Sequence, residues 1–131
     1  MECVWGAVAD SVDTLCRLAI HDDAFLEQVL AQGFSKTSAS GLDATTQALA
    51  RIGALIAVGA STPEYMSPVE SGLAAGASVD EIVGVLLAVL PSIGSDRVVS
   101  AAPKLGLALG YDVDAALEQL EDEGEPGAAL R

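Results

Sequence analysis

The chain has 131 residues, enough for one domain with a core of its own and too few for two. Nineteen acidic residues against six basic ones give a formal charge of −13, which repels phosphate backbones and anionic lipid and excludes nucleic acid as a partner. Hydrophobic residues make up 51% and mean hydropathy is +0.45, yet no segment reaches about 18 uninterrupted apolar residues, so membrane spans are rejected and the apolar surplus points to subunit interfaces.

The opening Met1-Glu2-Cys3-Val4-Trp5 lacks the basic start and apolar run of a secretory signal, which gives a cytoplasmic expectation. A first helix is predicted over about Val4 to Ile20, and a second over about Asp23 to Ala31, with Phe25, Leu26, Val29 and Leu30 as its apolar stripe. His21-Asp22-Asp23 breaks the pair, and Asp22 is the expected N-cap of the second helix. Cys3 and Cys16 are too few and too far apart to read as a disulfide framework or a redox pair, and Cys16 is expected to act as a small core hydrophobe.

The Ser- and Thr-rich stretch from Gly33 to Gly41 reads as a loop. A third helix follows from about Asp43 to Val58, closed by Gly59; its run Ile52-Gly53-Ala54-Leu55-Ile56-Ala57-Val58 is apolar all round and is expected to be buried. Pro68 would fall inside any helix begun at Thr62-Pro63, at a cost of about 3 kcal/mol. The prediction is therefore an irregular segment over Ser61 to Met66, then a helix from the Ser67-Pro68-Val69-Glu70 start to Ala75, closed by Gly76. Ser78-Val79-Asp80-Glu81 opens a further helix through about Leu90, apolar on every face and so expected to be enclosed by its own fold and by oligomer neighbours. Ser95 to Leu109 forms another, bent or interrupted at Pro103 and closed by Gly110, and Asp112 opens a last one to about Asp122 before an acidic tail over about 123–131. No run alternates β-branched with polar residues, so the fold class is all-α.

Within residues 41–111, Leu42-Asp43-Ala44-Thr45-Thr46-Gln47-Ala48-Leu49 and Gly72-Leu73-Ala74-Ala75-Gly76-Ala77-Ser78-Val79-Asp80-Glu81-Ile82 frame two apolar helices. This pattern resembles the carboxymuconolactone decarboxylase family, which includes the alkylhydroperoxidase D-like proteins. The resemblance implies a small helical fold that forms homo-oligomers, trimers or hexamers. It also shows what is missing. Redox members carry two cysteines three apart, a histidine four further on and an upstream glutamate. Counting from the first segment, those positions hold Ala60, Pro63 and Ser67, with Ala48 for the glutamate; counting from the second, Ser61, Glu64 and Pro68. Neither register supplies a thiol or an imidazole, so thiol-dependent peroxidase chemistry is not expected. A peroxidase built on Cys3 and Cys16 instead requires their Cα atoms to meet within about 7 Å.

Arg51 is the only ionised side chain between Gln47 and Glu64, in a helix built for burial. It would either hold a substrate carboxylate bidentately, or reach the surface or a neighbouring subunit's acid. Glu64 and Tyr65 lie where redox relatives place their active helix; Glu64 would act as a general acid or base given apolar surroundings, or else serve as a helix-start carboxylate. His21 stands alone, with no convergent ligand set for a metal. Arg97 and Lys104, seven apart, share a helix face and read as an exposed basic stripe. Gly53, Gly72, Gly84 and Gly106 read as helix-packing positions.

The reading is a non-redox carboxymuconolactone decarboxylase-like protein. It would bind or transform a small carboxylate or lactone in an inter-helix pocket, as a lyase or isomerase without metal or organic cofactor, with Arg51 holding the anion and Glu64 or Tyr65 moving a proton. The alternative is a catalytically silent helical subunit for assembly or partner binding, with Arg51 paired across an interface.

Overall fold

A computed structural model describes residues 10–32 and 40–123. These residues form seven helices and no strand, as the sequence pattern predicts: α1 (Asp10–Ala19), α2 (Asp23–Gln32), α3 (Ala44–Val58), α4 (Thr62–Ala75), α5 (Val79–Ile93), α6 (Ser95–Ala108) and α7 (Val113–Glu123). The expected acidic tail beyond Glu123, most of the expected 33–41 loop and the first turns of the expected first helix lie outside the described residues. The single-domain expectation meets a chain that divides into two compact units, Met1–Leu42 and Asp43–Arg131.

In the first unit, α1 and α2 pack together around a turn held by backbone bonds from His21 N to Leu18 O (3.1 Å) and from Asp22 N to Arg17 O (2.9 Å). That geometry puts His21 at a φ of 56°, a left-handed conformation histidine adopts more readily than most residues. Asp22 caps α2 as expected, its Oδ1 accepting from Phe25 N at 3.2 Å. Cys16 departs from expectation: it is half-buried and disulfide-bonded rather than a core hydrophobe. The expectation that the chain's cysteines do not read as a disulfide is corrected with it. Cys3 lies outside the described residues.

The second unit holds the core. Ile52 and Ile56 of α3, Tyr65 and Val69 of α4, Ile82 and Leu86 of α5, and Ala101 and Leu105 of α6 converge in one buried cluster. The most extensive contact is between α3 and α4. It depends on Gly72, where an added Cβ would lie 3.3 Å from that of Ala48. A Cβ added at Gly53 or Gly106 would also meet neighbouring side chains closely, whereas one added at Gly84 would meet nothing closely among the described residues.

Helix boundaries follow local chemistry. Asp43 Oδ1 accepts from Thr46 N at 2.7 Å and opens α3; Ser78 and Glu81 exchange reciprocal bonds at 2.9 and 3.0 Å at the start of α5; Asp112 Oδ1 accepts from Ala115 N at 3.0 Å before α7. The boundary of α4 corrects the expectation. Thr62 to Met66 is helical, Ser61 is the N-cap, and Pro68 lies inside the helix, as do Pro91 in α5 and Pro103 in α6. Each proline removes the N–H that would reach the carbonyl four residues back, on Glu64, Leu87 and Val99 respectively. All three are exposed residues, so water can take the released carbonyls, and the Pro68 ring itself packs as a buried apolar group.

Burial of α3 and α5 is also one-sided within the single chain. Val58 is 71% exposed and Leu87 69%, and Val79 and Val83 on α5 are exposed as well. Ile52 has no accessible surface at the centre of the core, so Ile52→Ala is expected to destabilise the protein by about 3 kcal/mol through lost transfer energy and an unfilled cavity. Urea unfolding followed by circular dichroism measures it.

Candidate functional site

The short Gly59–Ser61 connection between α3 and α4 forms one wall of a cleft whose other wall is α6. Gly59 has a φ of 73°, and the turn closes with bonds from Gly59 N to Ile56 O (3.3 Å) and Ala60 N to Leu55 O (3.0 Å). Such a tight return sets the start of α4 beside the end of α3. On α6, Arg97, Ser100 and Lys104 recur at helical spacing and line the cleft opposite. The cleft is part-enclosed, with a volume of about 260 Å³.

Two cations meet the end of α3 here. Lys104 Nζ donates to the carbonyl of Ala60 at 3.2 Å, and the Arg97 guanidinium lies against Gly59, where an added Cβ would stand 2.8 Å from Nη1. The partial negative charge of a helix C-terminus attracts both. Among the described residues neither forms an ion pair, although Asp96 also borders the cleft. Arg97 is exposed and Lys104 half-buried, so both retain capacity for a further acceptor.

Tyr65 supplies the back of the cleft. Its side chain is fully buried, and its hydroxyl has no hydrogen-bond partner among the described residues. Burial, with the Glu64 charge adding to it, pushes the phenol pKa up, so the group stays protonated and able to donate near neutrality. A buried hydroxyl without a protein partner carries a desolvation cost of about 1–3 kcal/mol.

The other two residues singled out from sequence lie elsewhere. Glu64 is exposed rather than set in apolar surroundings, and its Oε2 accepts from Ser61 N at 2.6 Å and from the Ser61 hydroxyl at 3.1 Å. Arg51 is half-buried on α3, with Nη2 donating to Gln47 Oε1 at 3.4 Å, and does not line the cleft. Tyr65 is thus brought together with Arg97 and Lys104, not with Arg51. The seven-residue spacing of those cations was legible in the sequence, but its meaning depended on the buried phenol opposite.

Comparison with family models, with curated proteins and with solved structures finds no match to this chain. The residues themselves therefore carry the reading. No cysteine or histidine lines the cleft, and no group of three or more metal-ligating side chains occurs among the described residues. His21 sits in the first unit, its Nε2 3.4 Å from Asp23 Oδ1 with both side chains exposed. A shallow groove in that unit, lined by Arg17, Phe25 and Glu27, is occupied by its own contacts: Arg17 bonds Asp13 at 2.9 Å and stacks over Phe25 at 5.6 Å.

Removing the Tyr65 hydroxyl removes a polar group without a protein partner. Tyr65→Phe is therefore expected to raise the stability of the ligand-free protein by about 1 kcal/mol. Thermal unfolding measures the change, and a clear loss of stability would mean that the hydroxyl is already well bonded.

Proposed function

We propose that the protein binds a small organic acid or lactone in the cleft between the α3–α4 turn and α6. The observation that carries this reading is the buried, unpartnered Tyr65 hydroxyl at the back of a cleft rimmed by Arg97 and Lys104. In a chain of net charge −13 with only six basic residues, two at one cleft favour an anionic or strongly polar occupant. A volume of about 260 Å³ is below the usual span of about 300–1,000 Å³ for ligand pockets, which favours a compact ligand.

The reading keeps the resemblance of residues 41–111 to the carboxymuconolactone decarboxylase family as its framework, in a non-redox form. For turnover as a lyase or isomerase, Tyr65 is the group we assign to proton donation. Glu64 suits this role less while Ser61 holds its carboxylate. Arg51 remains a candidate for anion binding only through a movement that releases it from Gln47 and brings it to the cleft.

We also infer assembly with further copies of the same chain, as a trimer or hexamer. Val79, Val83 and Leu87 recur every fourth residue on the exposed side of α5, and no charged residue interrupts the chain from Ile82 to Ser95. A purely structural subunit would share this feature but has no use for an unpaired phenol in a cleft.

Calorimetric unfolding in the presence of a panel of small carboxylates and lactones tests the ligand reading. At least one compound is expected to raise the melting temperature in a concentration-dependent way; a panel without effect on the parent protein would count against it. Light scattering on the eluting protein tests assembly. Leu87→Asp is expected to shift the particle toward the monomer, whereas a monomeric parent would remove the proposal.

A further inference from the structure

The three polar groups at the cleft differ in a way that narrows the ligand. Arg97 and Lys104 are cations without acidic partners among the described residues, and they stand at the rim, against Gly59 and Ala60. Tyr65 is neutral and fully buried, borders the cleft, and carries a hydroxyl without a hydrogen-bond partner among the described residues. A carboxylate suits the rim, where it can accept from a guanidinium and an ammonium while remaining partly hydrated. It suits the interior poorly, since a full negative charge beside a single phenol would lose its hydration for one hydrogen bond. A neutral oxygen suits the interior well. One hydrogen bond from Tyr65 satisfies both the donor and the ligand's acceptor.

The geometry points to a two-ended ligand: a short oxo- or hydroxy-acid whose carboxylate is held by Arg97 and Lys104 and whose ketone or hydroxyl oxygen accepts from Tyr65. This rests on the reading of the cleft as a small-acid site and adds to it the ligand's second functional group and its direction. Lys104 then exchanges, or shares, its bond to the Ala60 carbonyl for one to the ligand carboxylate. Ser100, between the two cations on α6, provides a further hydroxyl beside the carboxylate. Discrimination follows from the buried phenol. A plain carboxylic acid of the same length fills the cleft but leaves the Tyr65 hydroxyl unsatisfied, and sites built around a buried polar group reject ligands that lack its partner.

The decisive experiment is isothermal titration of the full chain with a straight-chain carboxylic acid and with its oxo and hydroxy derivatives, the oxygen moved stepwise along the chain. At least one derivative is expected to bind about tenfold more tightly than the plain acid. Tyr65→Phe is expected to erase that difference while leaving the plain acid's affinity within about twofold. Arg97→Gln is expected to weaken plain and oxygenated acids alike by about tenfold. Circular dichroism melting of each variant confirms that it is folded. Equal affinities for plain and oxygenated acids in the parent would overturn this inference and leave the small-acid reading standing. An oxygen preference that survives Tyr65→Phe would also overturn it, and so would Arg97→Gln binding with parental affinity. Failure of every acid to bind the folded parent would overturn both readings.

Discussion

Everything in the second unit depends on how closely α3 and α4 approach. Gly72 permits the contact with Ala48, and the tight turn at Gly59 returns the chain so that the two helices share a long interface. With that interface formed, Ile52 and Ile56 bury against Val69 and Tyr65, and α5 and α6 close over them. The same turn leaves the carbonyl end of α3 facing α6. Arg97 and Lys104 of α6 lie against that end, where its partial negative charge favours them. Core packing and the charge at the cleft are thus two results of one close helix contact.

Tyr65 shows how packing and site chemistry compete within a single residue. Its ring belongs to the core, and there a phenylalanine would satisfy every apolar contact equally well. Its hydroxyl has no such role. That unpartnered atom is what the proposed ligand reading rests on. Glu64, its neighbour in the chain, is placed differently: one oxygen of its exposed carboxylate accepts from the Ser61 amide and hydroxyl at the first turn of α4.

The helical framework was largely legible. Asp22, Asp43, Ser78 and Asp112 are short polar side chains just before apolar periodic runs, and each caps the helix it was expected to open. The start of α4 was not, because two signals conflict: Ser61 with Glu64 three later, and Ser67 with Glu70 three later. The first wins, since the carbonyl that Pro68 strands belongs to an exposed residue, which lowers the penalty that made the first start look unfavourable. Burial of α3 and α5 was overstated for a related reason. An apolar sequence reports what a helix face can cover, not whether a neighbour in the same chain covers it. The cleft was least legible of all, for Arg97 and Tyr65 lie far apart in sequence and meet only through the fold.

Pro103 gives α6 a property that its cations share. It stands between Arg97 and Lys104, one residue before the latter, and the rung it omits would have tied that part of the helix to Val99. A helix missing a rung curves more readily there. The separation of the two positive charges is therefore coupled to the curvature of α6, and because Ala101 and Leu105 flank Pro103 in the buried core, a bend in this helix changes the aperture of the cleft and the core packing together.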